Sequence, residues 1–255
     1  MTTGQPKYTP MVRDGRPRPG VTLPGASILG RVSQQQSTPD LAPATLVGLA
    51  AYTELAAFGL LAARSVDAPD LLARQTLATA AGEALGRQER LLGLVDAAGG
   101  DGAVAAMTPF DGALADFDAR TAPSSWAEGL LKSVVGLGVA QDLCRELSAG
   151  LPDGAEAFGA AVGKPRTDDP ATAVLARSAA ADGVLAARLA LWGRRVVGEA
   201  LGLVPVLLAA HPPLAALAAR AQEAADDRGA SAQAWLVSRL TAEHTRRMDR
   251  LGLAA

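Results

Sequence analysis

The sequence predicts an all-α bundle, and three observations carry that prediction. Alanine, leucine and arginine dominate from Asp40 onward, while β-branched runs are scarce. No segment alternates apolar and polar residues over the length of a strand. Helix starts carry capping chemistry, most clearly Ser125-Trp126-Ala127-Glu128, where the serine and the glutamate three residues later can each take a free backbone N–H. With 255 residues, 49% of them hydrophobic, the chain can bury a sizeable core.

The elements follow in order. A first helix is predicted over about Ala44–Arg64 and a second over about Pro69–Ala98, with Asp67 as its cap. Gly99-Gly100-Asp101-Gly102 ends the second helix, and a short helix around Pro109–Ala119 follows. The third long helix starts at the capping box and runs to Ala149. After Gly150-Leu151-Pro152 come a helix to about Gly163, a break, and another near Ala171–Ala181. A long helix spans about Val184–Ala210 with a bend at Pro205, and Leu214–Ala225 and Ala232–Leu251 complete the chain. No fixed-period repeat is present, and the alanine-rich faces let the helices pack closely.

Two segments emerge. Residues 1–39, rich in Pro, Gly, Gln, Ser and Arg without any period, read as a disordered tail, and residues 40–255 as the helical domain. Inside the tail Val21, Leu23, Ile28, Leu29 and Val32 form a small apolar patch. It fits either a tail folded onto its own domain or a docking segment for a protein partner that orders on binding.

Charge and cysteine content narrow the function classes. Lys plus Arg is 24 against 26 for Asp plus Glu, a net charge of -2, which speaks against nucleic-acid binding through a general basic surface. The nearest approach to a basic patch is Arg194, Arg195, Arg246 and Arg247. One cysteine, Cys144, excludes an internal disulfide framework and a cysteine zinc cluster, and mid-helix without a His partner it reads as a small buried filler. Lys7, Arg13, Arg16 and Arg18 have no apolar run behind them, so no secretory signal is expected. The uncharged stretch Leu201–Ala219 is broken by Pro205, Pro212 and Pro213, and reads as two buried helices rather than a membrane span. The expectation is a cytoplasmic protein with no membrane association.

The chemistry is defined by a missing half. Large helical bundles can hold a carboxylate-bridged di-iron site, with one Glu from each of two helices and a Glu-x-x-His from each of the other two. Glu54 shares a stripe with Val47, Ala50, Phe58 and Leu61, and Glu146 shares one with Val135, Val139 and Leu143. A carboxylate on an apolar stripe is costly unless paired or metal-bound. The alternative is a stripe-edge glutamate that reaches solvent. The two histidines are preceded three residues earlier by Leu208 and Thr241, so no Glu-x-x-His exists. Gly136-Leu137-Gly138 follows no strand and does not read as a dinucleotide loop. Asp111, Asp116 and Asp118 read as a solvated face, Arg194 and Arg195 as helical partners of Glu199, and His244 as a residue that caps or packs near the C-terminus.

Several stretches, in order, carry a resemblance. They are Tyr52-Thr53-Glu54-Leu55-Ala56-Ala57-Phe58, Gln88-Glu89-Arg90-Leu91, Met107-Thr108-Pro109-Phe110 and Ala119-Arg120-Thr121-Ala122-Pro123-Ser124-Ser125-Trp126. Leu189-Ala190-Leu191-Trp192-Gly193-Arg194-Arg195, Ser238-Arg239-Leu240-Thr241 and His244-Thr245-Arg246-Arg247-Met248 extend it to the C-terminus. From about Ala44 onward the chain resembles an actinobacterial branch of the ferritin-like superfamily, similar to tRNA 2-methylthio-isopentenyladenosine hydroxylases. The resemblance implies a ferritin-like four-helix bundle with additional C-terminal helices. It places Glu54 and Glu146 on the ligand positions of the first and third helices. On the second helix the family's acid and His positions fall on Ala84 and Arg87, and on the fourth near Lys164 and Thr167. The expectation is a degenerate di-iron site with no cofactor, in which Arg87, with Lys164, supplies the lost positive charge to Glu54 or Glu146. Pairing of Arg87 with Glu83 one turn earlier is the alternative. The function expected is that of a non-catalytic binding, scaffold or accessory protein, with encapsulated cargo as one form, and a homo-oligomer. The competing reading is a di-iron hydroxylase or oxidase with a carboxylate-rich site from Glu54, Glu146 and Glu83 or Asp142.

Overall fold

A computed structural model describes residues 41–95, 100–163, 169–227 and 229–254. The tail patch of residues 21–32, Lys164 and Thr167 lie outside the described residues. Among the described residues every regular element is helical, with no strand.

Helix α1, Ala42–Val66, is followed after a four-residue turn by α2, Leu71–Gly93. Asp70, rather than Asp67, caps α2, its carboxylate accepting from the Ala73 N–H at 2.7 Å. Asp67 lies three residues too early to reach that first turn, because the chain between the helices is still turning at Ala68–Pro69. Helix α2 ends at Gly93, before the glycine run expected to end it. Gly100 opens α3, Gly100–Met107, whose first turn carries Asp101 where a carboxylate complements the helix dipole. A 3₁₀ turn over Thr108–Phe110 and α4, Ala115–Arg120, then bury Phe110 and Phe117.

The third long helix is a composite. It comprises α5, Trp126–Lys132, a π turn over Ser133–Leu137, and α6, Gly138–Ser148. Ser125 caps it by accepting from the Glu128 N–H at 3.3 Å, while Glu128 reaches back to the N–H and hydroxyl of Ser124 at 2.7 and 2.6 Å. The π turn inserts one extra residue, so each side chain after it is displaced by about one position, roughly 100° around the axis. Two close approaches need its glycines. A Cβ on Gly136 would lie 2.6 Å from the Phe117 ring, and one on Gly138 would collide with the Arg247 guanidinium.

Helices α7, Ala155–Val162, and α8, Pro170–Ala181, together make the fourth arm, packed against α2 on one side and the composite helix on the other. Asp169 caps α8 through the Thr172 N–H at 2.7 Å. Helix α9, Gly183–Ala210, is capped by Asp182 and packs on the composite helix and α8. It is followed by α10, Pro212–Ala224, after a 110° bend at His211, which places two helices where the proline pair predicts a break. Helix α11, Ala232–Leu251, returns across α6, α8 and α9. By length and apolarity α1 could cross a membrane, yet 56% of that apolar stretch is buried in the bundle interior.

Candidate functional site

The four arms flank a cavity of about 560 Å³ that opens to solvent past Glu83, Arg90 and Arg250. Ala57 and Leu61 of α1, Ala80 and Arg87 of α2, and Val134, Gln141, Asp142 and Arg145 of the composite helix form most of its wall. Val162 and Thr172 from the fourth arm and Arg247 from α11 add to its wall.

Glu54 projects from the buried face of α1 and is 2% exposed. Arg87 spans from α2 and donates both Nε and Nη2 to Glu54 Oε2, at 2.9 and 2.7 Å. Gln141 donates Nε2 to the other carboxylate oxygen at 3.0 Å. Both oxygens of a buried carboxylate are thereby satisfied, one by a charge-assisted fork and one by a neutral amide.

A second charged group sits beside it. Asp142 is buried and accepts from Arg145 at 2.9 Å and from Arg247 at its other oxygen. Two guanidinium groups therefore share one carboxylate. The Nη1 of Arg247 and the Nε of Arg145 are buried with no hydrogen-bond partner. Arg247 itself is 7% exposed, its guanidinium resting on Gly138.

Of the residues singled out in the sequence, Glu54 and Arg87 come together and Glu146 lies apart. Glu146 faces α11, where Arg239 takes both its oxygens at 3.0–3.2 Å. Extending the Val135 stripe to Glu146 assumes an unbroken α-helical period, and the π turn breaks it. The cavity face after the turn is Gly138, Gln141, Asp142 and Arg145, and Glu146 is the next residue round. Glu83 lines the cavity from an exposed position on α2. Asp118 receives buried Lys132 at 2.8 Å, with the ammonium also 5.1 Å from the Phe117 ring centre. Glu199 accepts from Arg120 at 3.3 Å, while Arg195 lies over the Trp192 ring. The group Arg194, Arg195, Arg246 and Arg247 does not form one surface patch, because Arg247 is buried.

Two further titratable groups are buried. Burial, with the Glu54 carboxylate next, pushes the Cys144 thiol up to about 12, so it carries no thiolate at neutral pH. Burial and then the nearby Arg247 push His244 down to about 4, and neither ring nitrogen has a hydrogen-bond partner. His244 is therefore a neutral interior residue rather than a cap.

Sequence reasoning missed Gln141, Arg145 and Arg247 as cavity residues. The available signal was Gly138, a glycine inside a helical run, which marks a close approach. Nothing local says that the approaching group is an arginine from the last helix.

A separate apolar cavity of about 250 Å³ lies between α1, α4, the composite helix and α9, with Tyr52, Phe117, Leu143 and Leu203 in its wall. Leu137 borders both cavities.

The donor set of the central cavity does not fit a carboxylate-bridged di-iron centre. Both Glu54 oxygens are engaged by Arg87 and Gln141, and neither histidine lines the cavity. Among the described residues no group of three or more His, Cys, Asp or Glu side chains is placed to hold a metal ion.

A family model described as a ferritin-like domain of actinomycetes matches residues 40–221. No curated protein matches the chain.

Proposed function

Because this chain belongs to the actinomycete ferritin-like domain family, we propose that it is a ferritin-like protein without di-iron catalysis, acting as a binding, scaffold or accessory protein. The observation that carries the reading is the Arg87–Glu54 ion pair. In a di-iron bundle the carboxylates are neutralised by metal. Here a guanidinium held at 2.7 Å supplies one positive charge to the carboxylate at the centre of the fold. Arginine keeps that charge at all accessible pH values, so the carboxylate stays compensated without a metal.

The resemblance to tRNA hydroxylases supplies the ancestry in this proposal. An arginine and an alanine stand at the second-helix positions where those relatives carry ligands. Lys164 belongs to the same proposal as a further source of charge. So do a homo-oligomer in the cytoplasm and docking of a protein partner through residues 1–39. Deletion of those 39 residues with every interaction retained would remove the docking element alone.

The experiment is iron analysis of protein expressed in iron-replete medium, combined with oxygen uptake after ferrous iron is added. The expected result is less than stoichiometric iron and no uptake above the buffer rate. Two irons per chain with turnover of oxygen would replace this reading by an oxidase whose carboxylates rearrange around the metal.

A further inference from the structure

We propose that the apolar cavity between α1 and α9 binds a compact neutral hydrocarbon the size of two fused rings. The proposal goes beyond the loss of di-iron chemistry and stands on separate observations, since among the described residues this cavity shares only Leu137 with the charged one.

The shape selects a small molecule. Helices α1 and α9 both pack against the composite helix and leave this cavity between them, and α4, packed on α9, borders a further side. Walls from four elements suit a compact ligand, whereas a docked helix needs a long groove. Leu49, Leu143 and Val204 in its depth are at most 4% exposed, while Tyr52, Leu203 and Leu207 are half-buried and keep apolar surface open to an incoming molecule. Its volume of about 250 Å³ compares with roughly 150 Å³ for a dry cavity that holds one benzene ring, so two fused rings match.

The chemistry of the wall selects a neutral one. The four lining stretches, residues 49–60, 113–118, 136–143 and 200–207, lie wholly within the described residues. Asp118 is the one charged side chain among the described lining residues, and it is paired with Lys132 at 2.8 Å. The Thr53 hydroxyl is spent on the Leu49 carbonyl at 2.9 Å. A charged ligand would give up its hydration here for no partner, whereas a hydrocarbon gains by leaving water. Tyr52 and Phe117 add ring surface to the wall, which favours a ring ligand over an open alkyl chain.

Two features of the backbone fit a binding role. The π turn supplies Gly136 and Leu137 to the wall, and such turns recur at functional sites. Gly59 also lines the cavity, in the middle of α1, and a Cβ added there would meet nothing within 4 Å. A side chain at that position would stand in the open space of the cavity.

Calorimetric titration of the full chain with naphthalene and 2-naphthoate, with sedimentation run in parallel, tests the assignment. Naphthalene is expected to bind once per chain with a negative heat-capacity change. The carboxylate, which carries the same rings and a charge, is expected to bind roughly a hundredfold more weakly or worse. Ala140→Phe, which fills the cavity from the composite helix, is expected to abolish binding. Gly59→Leu replaces a glycine inside a helix at an open position, so the fold is kept, and is expected to weaken naphthalene about tenfold. Absence of naphthalene binding, equal binding of 2-naphthoate, or binding unchanged by Gly59→Leu would overturn the proposal. Naphthalene uptake that splits an oligomer would also overturn it, because the cavity would then belong to a second copy of the chain.

Discussion

Arg87 and Glu54 meet across the α1–α2 interface at 2.7 Å, and the carboxylate is almost wholly withdrawn from water while the guanidinium remains partly exposed. This asymmetry makes the glutamate the vulnerable partner. Its two oxygens have the arginine and Gln141 as their hydrogen-bond donors.

Removing the arginine is therefore expected to be expensive. Arg87→Ala leaves a buried carboxylate with one amide for company and is expected to cost about 3 kcal/mol or more in urea unfolding. The double change Glu54→Leu with Arg87→Met removes both charges and fills similar volume, and is expected to lie within about 1 kcal/mol of the wild type. An Arg87→Ala protein as stable as the parent would show that the pair does not hold the bundle centre.

Acid stability is expected to carry the mark of His244. Its folded pKa, near 4, lies below the ordinary value of 6.5. The unfolded chain therefore takes up a proton first as pH falls. The penalty is small above about pH 6.5, grows as pH drops, reaches about 3 kcal/mol near pH 4 and levels off below it. His244→Leu is expected to flatten the stability profile across that window. It should lose nothing at pH 7, because the ring nitrogens make no hydrogen bond there to lose. Parallel wild-type and variant slopes between pH 6.5 and 4 would refute the assignment.

Two glycine substitutions should move stability in opposite directions. Gly136→Ala drives a methyl into the Phe117 ring, which is itself buried and flanked by Lys132, and is expected to cost about 1–3 kcal/mol. Gly82→Ala, on the exposed face of α2 with open space around it, is expected to gain up to about 1 kcal/mol through helix propensity. Paired thermal melts read both, and a stabilised Gly136→Ala would mean that the ring has room to move.

Much of the fold is legible along the chain, and the particular errors show where legibility stops. The capping serine at Ser125, the Pro212–Pro213 break and the extent of α11 are local signals, and they lie where expected. The cap of α2 was misplaced by three residues, since Asp67 and Asp70 offer the same chemistry and only the path of the turn decides between them. At the site, Glu54 was legible as a carboxylate on an apolar stripe, and Arg87 through its place in the family pattern. Glu146 was misread because a π turn leaves little trace in hydrophobic periodicity.

Sequence by itself determined the helical class, the order of the long helices and the scarcity of histidine, because propensity, capping and composition act within a turn or need no neighbours at all. Only the tertiary structure decided which charges meet. The displacement after Leu137 turns Gln141 toward Glu54 and Asp142 toward the cavity. The return of α11 brings Arg247 to a carboxylate 105 residues earlier. Contacts of that separation depend on how helices pack in three dimensions, and no local pattern encodes them.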